Sequence, residues 1–339
     1  MASATLDLKS PSAVREGRSP LQDAFQQLLK NRASVYSGVF IILLFILAIF
    51  ANDVVITWIT GGEPTPVLAP HPYDGQNFSY SNSPAFTTTD EGEFYLLGTD
   101  YIGRDNLSRT IFGTRISLAV AIIAATVSLI VGVVYGLVSG YGSARRDNIM
   151  MRFVDFLYGF PAIIAIILIQ VVVKAYSNVE GLGGPFGFLI SINNALGGIF
   201  FVFVALGLFG WIGMARITRG LTLSFKNKEF VEAARSIGNR DYRIIFSHIL
   251  PNVLGPCIVF ETLAIPGYIL TEAFLSFIGL GANPPTPSWG MMISETVGAL
   301  RTYPWQVFTP AIALTVTVLA FNFLGDGLRD AFDPRLRGE

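Results

Sequence analysis

Six long apolar runs, separated by short charged stretches, set the pattern of this 339-residue chain. They cover about Val35 to Ala51, Ile116 to Tyr141, Ile149 to Val173, Leu196 to Ile217, Val253 to Leu280 and Trp305 to Leu324. Runs of roughly 18 to 28 residues suffice, as helices, to cross a hydrocarbon core about 30 Å thick. The strongly apolar runs lack the period-two alternation of a barrel strand. In lipid the helix is the open-ended way to satisfy every backbone N–H and C=O. The pattern therefore predicts an all-α polytopic membrane protein with about six transmembrane helices.

Composition agrees: 52% of residues are hydrophobic and 14% charged, where soluble domains carry about 25% charged residues. One cysteine, Cys257, cannot form an internal disulfide, and two separated histidines, His71 and His248, leave little for metal chemistry. The first residues, with Asp7, Lys9, Arg15, Glu16 and Arg18, are too polar for a cleaved signal peptide and read as a tail. With six spans both termini share a side. That side also holds Arg145, Arg146, Arg216, Arg219, Lys226 and Arg240, whereas the other has Arg104, Arg109, Arg115, Lys174 and Arg301. The excess of cations puts both termini in the cytoplasm.

The chain divides into a cytoplasmic tail (1–34), a first span with a long outer loop (35–97) and a core of five spans (98–339). In the tail, Leu21, Phe25, Leu28 and Leu29 fall at helical spacing, as for an interfacial helix or a weakly ordered tail. Gly132, Gly136 and Gly140 form a small-residue ridge suited to close helix packing. Trp58, Trp211, Trp289 and Trp305 read as interface anchors, and Asp155 is expected to pair with Arg152. In the segment Gly-Thr-Asp-x-x-Gly-Arg-Asp, Gly103 supplies a turn and Asp105 can cap the second span. Glu261 and Glu272 lie within the fifth span, with Pro266 between them expected to loosen the helix. They are candidates for the translocation path, or for hydrogen bonds between helices.

The inner loop 216–250 has helical order. Phe230, Ala233, Ala234 and Ile237 occupy i, i+3, i+4 and i+7 of a short helix. Gly238 can end that helix in the left-handed conformation, and Asn239 can cap a second one running to Pro251. Such a helix, flanked by Glu232 and Arg235, suits a groove on a partner protein or the surface of a bilayer.

The stretch Glu232-Ala233-Ala234, three residues, Gly238, nine residues, then His248-Ile249-Leu250-Pro251 resembles the loop signature of ATP-binding-cassette importer permeases, with His248 at the family's isoleucine position. "LGTDYIGRDNLSRTIFGTRISL", "EAFLSFIGLGANPPTPSWGMMI" and "GDGLRDAFDPRLRG" look like the C-type subunit of the dipeptide, oligopeptide and nickel branch. The resemblance implies a type I importer permease fold and an inner-membrane location. It makes Glu232, Ala233, Ala234, Arg235, Ile237 and Gly238 candidates for contact with an ATPase subunit. The implied partners are a second related permease, two cassette ATPases and an extracytoplasmic solute-binding protein. No cofactor is implied for this chain, because ATP and Mg would be bound by the ATPases. Peptide is the implied substrate class and a nickel chelate the alternative.

The chain has no G-x-x-x-x-G-K-[ST] loop, so it is not expected to hydrolyse ATP itself. It also lacks H-E-x-x-H and G-x-S-x-G, and is not expected to be an enzyme. An ion-coupled secondary transporter would use Glu261 beside Pro266, but leaves the helix–Gly–helix loop unexplained.

Overall fold

The computed structural model describes residues 26–51, 67–177, 179 and 182–332. Helix α1 (Arg32–Ile49) is followed by a small hairpin of β1 (Thr87–Thr88) and β2 (Phe94–Tyr95), antiparallel with Thr87 opposite Tyr95. There follow α2 (Asn106–Tyr141), α3 (Ala144–Tyr158), α4 (Ala162–Ser177), α5 (Gly184–Ala195), α6 (Phe200–Lys226) and α7 (Glu229–Ser236). The chain continues through α8 (Asp241–Phe277), α9 (Trp289–Thr296) and α10 (Pro304–Phe332). Helices α1, α2, α6, α8 and α10 are each long and apolar enough to cross a membrane, and α3 with α4 supplies a sixth as a bent pair. The all-α polytopic class expected from the hydropathy pattern is the class observed.

The bundle is organised around α2 and α6, its most extensive helix pair. A Cβ on Gly132, Gly136 or Gly140 would lie 2.5, 2.5 and 2.8 Å from side-chain carbons of Met214, Thr218 and Thr222. Lipid offers no hydrophobic force to drive helices together, so association relies on close van der Waals packing, and small residues permit the approach. On the other flank of α2, Leu118, Ala121 and Ala125 pack with Ile265 and Ile269 of α8, Phe321 of α10 and Ile41 of α1. Helix α1 is capped by Asn31, which accepts from Ser34 N at 3.3 Å. It is pinned to α10 where Ser34 Oγ donates to Phe323 O at 2.8 Å, beside Gly327, where any Cβ would collide with that hydroxyl.

Four expectations are corrected. The third span is not continuous: α3 and α4 meet at 72° across Gly159, Phe160 and Pro161. Pro161 has no N–H to give to the preceding turn, and a residue before proline, here Phe160, is pushed out of the α region. Asp155 pairs with Arg216 of α6 at 2.7 Å, not with Arg152 three residues before it on the same helix. Trp289 and Trp211 are core residues, 0% and 6% exposed, and not interface anchors. Asn239 does not cap a helix with its side chain; Arg240 occupies the N-cap position ahead of Asp241. That second loop helix is the start of α8, which passes Pro251 by way of a π turn at Ile245–Ile249, with Leu250 N bonded to Ile245 O. Helix α8 also continues through Pro256 and Pro266. Trp58, Leu21 and Phe25 lie outside the described residues.

If the ridge holds α2 to α6, Gly136→Leu should destabilise the protein by about 1–3 kcal/mol through overpacking. Gly220→Ala, where an added Cβ meets nothing within 4 Å, should be neutral or stabilising. Thermal unfolding in detergent compares the two, and equal melting temperatures would contradict the ridge.

Candidate functional site

Helix α7 lies under the end of the bundle where α2 and α6 finish. Val231 and Ala234 are buried against Val133, Leu137, Met214, Ile244 and Ile249. The expected stripe of Phe230, Ala233, Ala234 and Ile237 is thus split between two faces. Ala234 anchors the helix, while Phe230, Ala233 and Ile237 face outward, Ile237 with 80% of its surface exposed. Glu232, Arg235 and Gly238 are exposed beside them.

The turn after α7 is a double-bonded helix stop. Gly238, at φ 80°, donates its N–H to Arg235 O at 3.0 Å, and Asn239 N reaches back to Ala234 O at 3.2 Å. This is the Schellman arrangement, in which a glycine takes the left-handed position without a Cβ clash. Asn239 thus closes the end of α7 through its backbone N–H, and the N-cap position of α8 falls one residue later, on Arg240. The hydroxyl of Tyr141, the last residue of α2, donates to Asp241 at 2.9 Å and accepts from Arg235 at 3.5 Å. Lys226, at the end of α6, donates to the carbonyls of Gly140 and Gly142. The loop helix is therefore tied to the ends of α2 and α8, and a push on α7 reaches both.

Glu261 and Glu272 are buried, 4% and 1% exposed. Both project from α8 toward α2. Glu272 accepts from Ser117 Oγ at 2.9 Å and Ser276 Oγ at 2.6 Å. Glu261 accepts from Ser128 Oγ at 3.1 Å and Tyr268 Oη at 2.9 Å. Each carboxyl thus bridges two helices.

At the opposite end, a ring of charges went unnoticed in the sequence. Asp100 Oδ2 accepts from Arg104 Nε and Arg109 Nη1, both at 2.6 Å. Glu295 Oε2 of α9 accepts from Nη2 of the same two arginines at 2.9 and 2.8 Å. Two anions alternate with two cations, so the buried ring is neutral. Asp105 caps α2, as expected, by accepting from Ser108 N at 2.8 Å. Gly103, at φ 80°, sits where a Cβ would overlap Asn77 O. Trp289 Nε1 donates to Thr110 O at 3.1 Å and fastens α9 a second time. Nearby, burial first and then a hydrogen bond to Glu93 push the Tyr95 hydroxyl up to about 12, so it stays a donor. Glu295 is separated from the arginines by nearly 190 residues, and no local spacing announces the ring.

A helical bundle with a helix–glycine–helix loop seated under one end, and buried carboxyls spent on helix–helix contacts, has the architecture of a transport permease. The comparisons with known proteins specify which kind. Residues 132–338 match the family described as binding-protein-dependent transport system inner membrane component, and residues 19–85 match the N-terminal TM domain of oligopeptide transport permease C. The chain is 42% identical to the oligopeptide transport system permease protein OppC of Haemophilus influenzae, over 95% of this chain and 91% of that one. It is 38% identical to the dipeptide transport system permease protein DppC of Bacillus subtilis, over 97% and 90%. It is 35% identical to a glutathione transport system permease protein, GsiD, of Pectobacterium atrosepticum, over 94% and 93%. The chain belongs to the binding-protein-dependent inner-membrane permeases. It is a multi-pass inner-membrane protein, the permease component of an importer that works with ATPase and binding-protein partners.

Breaking the charge ring should cost stability according to what is left unpaired. Arg109→Ala, which strands buried carboxylate charge, should cost about 3 kcal/mol, and Glu295→Gln, which keeps an acceptor at the partly exposed corner, about 1 kcal/mol. Thermal unfolding of the two variants checks the order.

Proposed function

We propose that this chain is one of two permease subunits of a peptide importer and that it receives the ATP-driven stroke through α7. The observation that carries this reading is the two-faced character of α7. Val231 and Ala234 fasten one face to the bundle, while Glu232, Ala233, Arg235, Ile237 and Gly238 stand outward on the other. An exposed apolar side chain flanked by charges on a short helix is suited to a groove on another protein. Ala234 then acts from behind, as the anchor that passes movement of the helix to Ile244 and Met214. Two cassette ATPases would bind ATP and Mg, and this chain would hold no cofactor and catalyse no reaction.

Charge supports an orientation with both termini and α7 in the cytoplasm. Of the five cations on the opposite side, Arg104 and Arg109 are neutralised in the ring. Arg115 donates to Ala48 O and Ile49 O at the end of α1, and Lys174 to Gly279 O beyond the end of α8. Counted by Lys and Arg alone, the α7 side carries the excess, with Arg145, Arg146 and Arg240 exposed there. The outer hairpin and α9 then face the solute-binding protein. Peptide is favoured over a nickel chelate because the relatives are named for dipeptides, oligopeptides and glutathione. Ion-coupled transport is not favoured, since both α8 carboxyls are engaged in helix–helix hydrogen bonds.

In the complex reconstituted with its ATPases and binding protein, Ile237→Asp should lower peptide-stimulated ATP hydrolysis and uptake together by about tenfold or more, as for an anchor side chain lost from an interface core. Gly238→Pro, which removes the N–H given to Arg235 O and cannot adopt φ 80°, should uncouple ATP hydrolysis from uptake while the subunit still inserts. Wild-type uptake in both variants would refute the coupling role.

A further inference from the structure

Helix α3 departs from the direction of the bundle, meeting α4 at 72° across Gly159, Phe160 and Pro161. Helix α4 has 16 residues, a length of about 24 Å at 1.5 Å per residue. A hydrocarbon core is about 30 Å thick, so so short a helix has no length to spare for tilt and runs close to the bilayer normal. Helix α3 is then turned close to the plane of the membrane. Charge marks the same boundary. No charged residue occurs between Asp155 and Lys174, and the outward side chains of α4, such as Ile164, Leu168 and Val172, are apolar. The hydrocarbon therefore begins at the elbow, and α3 lies at headgroup level on the α7 side.

Helix α3 is two-sided in the way that position requires. Its inner side is strapped to α6. Asp147 accepts from Arg219 Nε and Nη2, both at 2.6 Å, and Asp155 pairs with Arg216 at 2.7 Å. Between them Val154 is fully buried against Trp211 and Ala215. The outer side carries an apolar stripe of Ile149, Phe153 and Phe156, which are 64%, 51% and 64% exposed. Positions 145, 149, 152 and 156 recur at i, i+4, i+7 and i+11, so Arg145 and Arg152 stand in line with Ile149 and Phe156. Arg146, seven residues before Phe153, borders the stripe on its other edge. All three arginines are exposed, and among the described residues none has an ion pair or a side-chain hydrogen bond. Both acids of α3 are already engaged by α6. The outer face thus holds three unpaired positive charges and no unpaired negative one.

That combination selects what covers the face. A protein seated on it would have to offer acids to three guanidinium groups or bury them unpaired, which is costly. A headgroup layer offers phosphates at the level of the arginines and acyl chains just beneath for the phenyl rings. A helix with an apolar stripe edged by basic side chains is the form that lies in such an interface. Faces that meet acyl chains alone look different: the outward Val39, Ile42, Leu43 and Ile46 of α1 have no cation beside them. We infer that α3 is an interfacial helix whose outer face binds anionic phospholipid, with Arg145, Arg146 and Arg152 on the phosphates and Ile149, Phe153 and Phe156 in the acyl boundary. The inference needs the bundle to sit in a bilayer and makes no use of the coupling role of α7.

The test uses the complete complex, with cysteine-free partner subunits, in nanodiscs of phosphatidylcholine containing about a quarter phosphatidylglycerol. A fluorophore is placed on Ile149→Cys or Phe156→Cys, with the buried Cys257 replaced by serine, and nitroxide lipids serve as quenchers. Seven positions span about 10 Å along a helix. With α3 near the membrane plane, the two fluorophores should read shallow depths within about 5 Å of each other; a difference near the full 10 Å would make α3 part of a span and overturn the assignment. Nitroxide phosphatidylglycerol should quench more strongly than nitroxide phosphatidylcholine at equal fraction. Arg145→Gln, Arg146→Gln and Arg152→Gln should each lower that lipid preference by about fivefold, the effect of one basic side chain near an anionic surface. The three Arg→Lys replacements together should retain it, because a point charge suffices, and this separates lost charge from a misfolded helix. Inorganic phosphate should not reverse the quenching; if it does, the arginines hold a soluble anion and the lipid assignment fails. The assignment also fails if the wild type is quenched equally by the two lipids, or by neither because the second permease or an ATPase covers the face. A preference that survives the triple glutamine variant, or is lost equally in the lysine variant, overturns it as well.

Discussion

The close approach of α2 to α6 is the contact on which the remaining structure depends. Three glycines one turn apart let the two backbones meet, and Met214, Thr218 and Thr222 fill the space a side chain would take. Because lipid solvates an apolar side chain as well as another helix does, this steric fit supplies much of the association. The pair then presents two flanks. One carries α8, α10 and α1. The other is bordered by α3 and α4, through Val154 and Ile166. The end of the pair, at Leu137 and Met214, is also the bed in which α7 sits.

The two buried carboxyls of α8 follow one rule. Each buried carboxyl is placed where hydroxyls from two helices reach it: Glu272 between Ser117 and Ser276, Glu261 between Ser128 and Tyr268. An unpaired polar group in hydrocarbon is expensive, so such groups survive where they are satisfied. The far end repeats the logic with full charges, where Asp100 and Glu295 each meet both Arg104 and Arg109. The segment around Asp100 and α9 are thereby fixed to the first turn of α2, at the end opposite α7. The break at Gly159–Pro161 interrupts the bundle's straight helices with a bend of 72°.

Much of the architecture was legible because its signals are local. Apolar run length marked the spans, and glycine at every fourth position marked the ridge. An aspartate ahead of α2 marked its cap, and Gly238 marked the end of α7. The errors share a cause. Asp155 was paired with the cation nearest in sequence, whereas its partner Arg216 is supplied by another helix. Tryptophan as a residue type suits the membrane interface, whereas Trp289, the first residue of α9, is buried against α2. The stripe on α7 was read by periodicity alone. Its sidedness depends on which face meets the bundle, and Val231 replaced Phe230 there.

By itself, the sequence determined that the chain is a helical membrane permease with a structured loop whose first helix ends at Gly238. Hydrocarbon thickness, backbone hydrogen bonding and glycine conformation act on neighbouring residues, so sequence position is enough to read them. Only the tertiary structure decided which face of α7 is free and which residues close the charge ring across nearly 190 positions. It also decided that Glu261 accepts from both Ser128 and Tyr268, and that the space beside Gly136 is filled while that beside Gly267 is not. Those properties depend on what another helix places within a few ångströms, and a one-dimensional pattern does not carry that distance.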